Sequence, residues 1–332
     1  MGDVLAGFHT VWEFDTDSVL IRFERGIRTP KLLQALGERR IPYEALTAVE
    51  LTPGKRGTVV LRAVPRPGAD PLMEAADGQL KEAYDPYRLV LPGEREALAE
   101  YYAGEIRTAL GPAAATPAED HLVAAPAPPM AFKAYDGKAS FDGKAVSFRW
   151  FWTGASSAKW KAGDQRFSVD ELAGVEWRSP EGRGSGNGSA KSGNGSAKSG
   201  NGSTKSANGS AKSGSGSAKD DGNGHLRLLG RAFGEQPGAA DQDPAAVVFG
   251  MGYGLVHESL PFAAAVLEAV RAAGPAAAPA PGDQPSALVT TPPRRDPADI
   301  ADRIRHLGEL HSAGLLTNDE FSAKKAELLA EL

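Results

Sequence analysis

Apolar and polar residues alternate in short runs near the start of the chain. Val19, Ile21 and Phe23 keep the two-residue period of a half-buried strand. Val11-Trp12-Glu13-Phe14 precedes them across Asp15-Thr16-Asp17-Ser18, a cluster with turn chemistry, and the pair reads as a hairpin. Tyr43–Leu51 supplies a further strand, Thr52–Gly57 a turn, Thr58–Arg62 its partner, and Tyr87–Leu91 a strand stopped by Pro92-Gly93. The period then changes. Leu98, Tyr102, Ile106 and Ala109 fall at four- and three-residue steps, one face of an amphipathic helix. Residues 4–110 are therefore expected to form a small antiparallel sheet or barrel whose open apolar face a C-terminal helix covers.

The unit is written twice. Ile41-Pro-Tyr-Glu-Ala-Leu-Thr-Ala-Val-Glu-Leu51 and Phe167-Ser-Val-Asp-Glu-Leu-Ala-Gly-Val-Glu-Trp177 share their order of apolar, acidic and small residues. Phe141–Val146 repeats Phe14–Val19, and Val146, Phe148, Trp150 and Trp152 repeat the strand alternation with larger side chains. The second unit is expected over 131–273. Its closing helix carries Phe262, Val266, Ala269 and Val270 on one face, with Ser259 as N-cap and Pro261 just inside the start.

Where the first unit has its Thr52–Gly57 turn, the second has tandem copies of Ser-Gly-Asn-Gly-Ser-Ala-Lys, between about 183 and 224. Such a tract has nothing apolar to bury and is expected to be disordered. His225–Leu229 follows it as the partner of the strand before it, so the tract reads as an expanded hairpin loop. Lengthening a loop costs only about 0.6 kcal/mol per doubling. Two Ala/Pro-rich spacers, 111–130 and 274–295, lack the residues for a core of their own.

The last piece, 296–332, predicts a helical hairpin. Ile300, Ile304, Leu307 and Leu310 form a narrow stripe, and Gly314 is placed to end that helix. Thr317-Asn-Asp-Glu320 is a capping box, with Leu316 and Phe321 as its hydrophobic staple, and Phe321, Leu328 and Leu329 line a second helix. Two such short helices bury too little surface to fold strongly alone, so the stripe asks for a partner.

The totals narrow the chemistry. With no cysteine there are no disulfides, thiolate nucleophiles or thiolate metal sites. No run approaches the roughly 18 apolar residues of a membrane span, and the N-terminus shows no secretory signal pattern. A cytoplasmic protein is expected, with mixed charge and a net of −5 that does not suggest wholesale nucleic-acid binding. The six histidines, of which His306 and His311 are closest, lack metal-site spacing. Gly250-x-Gly-x-Gly254 lacks the surroundings of a nucleotide loop and reads as a tight turn. Glu44/Glu50 and Asp170/Glu176 recur in both units and are expected to face solvent, although paired carboxylates can do acid–base work. Trp150, Trp152, Trp160 and Trp177 either fill the second core or form an aromatic binding surface.

Residues 299–329, with their leucine pattern, Gly314, Thr317-x-x-Glu320-Phe321 and Lys324-Lys325-x-Glu327-Leu328-Leu329, resemble the SHOCT domain, a short C-terminal helical domain of bacterial proteins. The duplicated units resemble the bacterial domain of unknown function 4429, which often occurs in tandem with that tail. Its relatives are pleckstrin-homology-like domains, small bent sheets capped by a helix. The resemblance thus implies an α+β chain of two tandem pleckstrin-homology-like units and a helical hairpin. It transfers no catalytic residue and no cofactor. The expected function is a non-enzymatic scaffold whose units bind an unknown protein partner and whose hairpin makes a homo-oligomer. The alternative is a module for an anionic ligand, membrane surface or nucleic acid, contacted through the basic insert; a remote alternative is an enzyme of unknown class.

Overall fold

The computed structural model describes residues 3–180, 224–234, 238–249 and 252–274, together with the helical positions 322, 325 and 326. One compact unit, Met1–Ala276, contains both repeats. The first repeat opens with a four-stranded antiparallel meander, β1 (Asp3–Ala6), β2 (Thr10–Phe14), β3 (Ser18–Phe23) and β4 (Glu38–Pro42). A short helix, α1 (Lys31–Leu36), bridges β3 and β4. A single 3-10 turn at Tyr43–Ala45 then passes the chain to a three-stranded meander, β5 (Leu46–Pro53), β6 (Thr58–Pro65) and β7 (Arg88–Pro92). Between β6 and β7 lies α2 (Pro71–Ala76), and α3 (Glu96–Ala109) closes the repeat. Trp12, Phe14, Val19, Ile21, Leu61 and Leu89 point inward from the two sheets and meet Tyr102 and Ile106 of α3.

The second repeat runs in the same order. β8 (Met130–Lys133), β9 (Gly137–Phe141), β10 (Ala145–Trp150) and β11 (Gln165–Ser168) make the four-stranded sheet, with α4 (Ser157–Ala162) before β11. β12 (Leu172–Arg178), β13 (His225–Gly230) and β14 (Ala246–Val248) make the three-stranded sheet, and α5 (Val256–Ala273) follows. The two copies agree in fine detail. The pairing register slips between Leu46 and Ala48 in one and between Leu172 and Gly174 in the other. A bulge there adds twist just where the chain turns from one sheet into the next. The architecture is α+β, built from small antiparallel sheets that stay separate, with no closed barrel among the described residues.

β12 and β13 pair antiparallel with Arg178 opposite His225, the hairpin that β5 and β6 form in the first copy. The repetitive tract enters and leaves between these two strands, and residues 181–223 themselves lie outside the described residues.

Three expectations from the sequence are corrected. Leu98 faces outward at 42% exposure and Ala109 is exposed as well, and the buried face of α3 is Ala99, Tyr102, Ala103 and Ile106. β10 ends at Trp150, so Trp152 leaves the strand and stands in the following loop. Ser259 caps nothing. The helix begins at Val256, and the Ser259 hydroxyl accepts from the Trp177 indole at 3.0 Å and donates to the Gly254 carbonyl.

α5 is buried on more than one face, from Ser259 through Leu267 and again at Val270. One side closes its own sheets; the other packs on α1 and α2, so Leu32, Leu72, Ala75 and Ala76 of the first repeat belong to the core of the second. α2 exists because Asp70 caps it, accepting from the Leu72 amide, with Pro71 at its first turn and Asp77 left-handed at its end. Polar contacts fasten the same seam. One guanidinium nitrogen of Arg271 donates to both Glu74 oxygens, at 2.8 and 3.0 Å, the other to the Gly68 carbonyl, and the Ala125 amide donates to Glu268. The Gln79 side chain donates to the Trp177 carbonyl and accepts from the Ser179 amide, covering the edge of β12 as a neighbouring strand would. The stretch 111–130 has no core of its own but is strapped to the first repeat. Val123 is buried, the Leu122 and Val123 amides donate to the Ala69 carbonyl, and Arg66 donates to Thr116 and Pro117 carbonyls. A core shared across the repeats makes them one cooperative unit. Urea unfolding of a chain ending at residue 276 is expected as one transition, coincident by fluorescence and circular dichroism. Two resolved midpoints would contradict this.

Candidate functional site

Of the positions singled out for assembly, Ile300, Ile304, Leu307, Leu310, Leu316, Phe321, Leu328 and Leu329 all lie outside the described residues. Of the recurrent acidic positions, Glu44 and Asp170 stand exposed in the turns before β5 and β12, while Glu50 and Glu176 fall into a constellation. Glu50 stands opposite Arg62 across β5 and β6, and Glu176 stands opposite Arg227 across β12 and β13. Each arginine also reaches an aspartate that precedes the next strand, Arg62 to Asp85 at 2.9 Å and Arg227 to Asp243 at 3.0 Å. Each aspartate turns its other oxygen to a backbone amide two residues on, Tyr87 or Ala245. Periodicity alone misses the arginines and aspartates, yet the dipeptides Asp85-Pro86 and Asp243-Pro244 ahead of β7 and β14 carry the signal. In both copies the carboxylates face a fixed cation, not each other, so the ladder neutralises charge and staples three strands. In the first repeat it lies along a groove of about 470 Å³ with Val60, Met73 and Leu80 as its apolar part.

The tryptophans divide. Trp150 and Trp177 are buried with their indole N–H groups satisfied by the Gly163 carbonyl and Ser259, so they fill core. Trp152 and Trp160 are exposed by 36% and 46%, as are Tyr135 by 40% and Tyr253 by 46%. These four rings stand on segments tied to residues 133–136. The Tyr135 amide donates to the Val248 carbonyl, the Phe151 amide to the Asp136 carbonyl and the Gly254 amide to the Lys133 carbonyl. Gly254 is left-handed (φ 63°), and a Cβ there would lie 2.3 Å from the Phe249 ring, so this turn requires glycine. The first repeat keeps a single counterpart: Phe8, half exposed, whose amide donates to the Val90 carbonyl.

Beneath the aromatic end sits a buried ion pair. Lys159 of α4 lies 2.5 Å from Asp136 and 2.8 Å from the Ala246 carbonyl, with its ammonium 4.9 Å from the centre of the Trp150 ring. Asp136 also accepts from the Val248 amide. Burial lowers the Lys159 pKa and raises that of Asp136, while the attraction between the two opposes both shifts. The pair thus ties α4, the β8–β9 turn and β14 together under the exposed rings. Among the described residues no group of three or more His, Asp or Glu is placed to hold a metal ion. No helix of the described residues is long and apolar enough to cross a membrane.

Fold and surface define a tandem repeat of a small two-sheet unit closed by a helix, with an aromatic end on its second copy. The chain belongs to the family described as Domain of unknown function (DUF4429), whose model matches residues 12–107, 139–205 and 214–267, more than half of the chain. Residues 302–329 match the Short C-terminal domain, SHOCT. No curated protein matches the chain.

Proposed function

We propose that the protein is a non-enzymatic cytoplasmic scaffold. Its two repeats are pleckstrin-homology-like modules joined into one body, the second of which grips a protein partner, and residues 296–332 form a helical hairpin that multimerises it. The observation that carries this reading is the exposed group Tyr135, Trp152, Trp160 and Tyr253 on a rigid support. Tyrosine and tryptophan are enriched at protein interfaces, where a few such anchors supply most of the binding energy. The order of four strands, three strands and a closing helix in each repeat supports the pleckstrin-homology-like comparison. Multimerisation would add to a weak module affinity by raising effective concentration. Light scattering on the full chain and on a chain ending at Pro293 tests the assembly half. The full chain is expected as a multimer and the shortened one as a monomer; equal masses for both would sink the hairpin's role.

A further inference from the structure

On the outer face of the β8–β9–β10 sheet three cations stand in cross-strand register. Lys133 is opposite Lys138, and Lys138 is opposite Arg149. Like charges placed directly opposite destabilise a sheet, so the row asks for an anion. Arg149 has Asp164 at 3.7 Å, but among the described residues neither Lys133 nor Lys138 forms an ion pair. In the first repeat the same row is Ala6, Val11 and Arg22, and Arg22 lies between Glu13 and Glu38. Two cross-strand lysines without an ion pair, Lys133 and Lys138, are particular to the second repeat.

Its surroundings fit a strand-like polyanion. Next to the row, the same face continues through Ala131, Ser140 and Ser147, and a depression of about 290 Å³ reaches Arg166. Arg166 is held by Asp142 at 2.9 Å and Ser147 at 3.2 Å. On its other side the row meets the β8–β9 turn and its exposed Tyr135, with Trp152 and Tyr253 on the segments bonded to that turn. We propose that this face binds single-stranded nucleic acid, with phosphates along the cation row and bases against the rings at the rim. Cationic tracks with aromatic platforms hold single strands in this way. A flat anionic bilayer engages the rim and leaves the small-residue floor unused. An acidic polypeptide matches the charge but brings no planar bases to stack on the rings.

The test is fluorescence anisotropy of a labelled oligothymidylate of about 20 nucleotides, long enough to span such a site, against the full chain over a salt series. Binding at low salt with quenched tryptophan emission is expected. Lys133→Ala/Lys138→Ala, at two exposed positions, is expected to weaken binding by about tenfold or more and to flatten the log–log salt slope by about 1.4, at roughly 0.7 for each phosphate no longer neutralised. Lys133→Arg/Lys138→Arg is expected to keep both. Trp152→Ala is expected to weaken binding by about tenfold at unchanged slope. Absence of binding at low salt, or indifference to the alanine pair, would overturn the proposal. So would binding lost on deleting residues 185–219 with the row intact, which moves the contact to the repetitive insert. Phosphatidylserine vesicles or polyglutamate bound as tightly, through the same two lysines, would overturn the assignment to nucleic acid. None of these outcomes depends on the multimer.

Discussion

Asp70→Ala is expected to lower the stability of the two-repeat body by about 3–5 kcal/mol, the range for breaking a buried ion pair from one side. The Asp70 carboxylate is wholly buried and receives four donors: two prongs of Arg39 at 2.9 Å, the Tyr87 hydroxyl at 2.6 Å and the Leu72 amide at 2.9 Å. Burial works against the Arg39 charge, and Asp70 overcomes it, holding the guanidinium pKa above its ordinary value. Without Asp70 that guanidinium stays buried with the Ala124 carbonyl at 3.4 Å. The lost N-cap adds about 1 kcal/mol, and it loosens α2, the helix on which α5 of the second repeat rests. A fall in melting temperature on the order of 10 °C should register in both halves at once. Arg39→Met/Asp70→Ala separates the causes. If the uncompensated charge dominates, the double variant is more stable than Asp70→Ala alone; a double variant as damaged as the sum of the singles would refute that account.

The parts of this architecture that could be read in advance are those with a period or a copy. Alternation at Val19–Phe23 and the duplicated boxes around Val49 and Val175 placed strands, the hairpin that carries the insert, and the exposed Glu50; Glu176, its counterpart, is half-buried. The short helices were silent. α1, α2 and α4 each span six residues, too few turns for a helical stripe to stand out from loop. Leu98 misled because the true contact face of α3 is half alanine, Ala99 and Ala103, which a hydrophobic pattern undervalues. Ser259 misled because a tertiary partner, the Trp177 indole, claims the hydroxyl that local sequence offers to a cap. The cation row was hidden for another reason. Lys133, Lys138 and Arg149 become neighbours only once the register of β8, β9 and β10 is known, and a one-residue slip would send them to opposite faces.

Lys159→Ala is the second large loss to expect, again about 3–5 kcal/mol, because it leaves Asp136 buried without its counter-charge. The sequence around it, Ser157-Ala-Lys-Trp-Lys-Ala162, looks like a solvated turn, yet Lys159 is fully buried while Trp160 beside it is not. The first repeat shows that the fold does not need a charge there. Gly37 and Gly163 end α1 and α4 alike, and counting back from them places Leu33, a core residue, where Lys159 stands. Lys159→Met/Asp136→Asn should therefore recover most of the stability lost by Lys159→Ala, since apolar replacement of a buried pair is often neutral or better. The pair would then be kept for geometry: it fixes α4, with Trp160, against the turn that carries Tyr135. Amide exchange should show it. In the double variant residues 151–162 are expected to exchange faster than in the parent while the strands of the core keep their protection. Unchanged exchange in that segment, or a double variant less stable than both singles, would mean the pair serves stability and not the placement of the aromatic end.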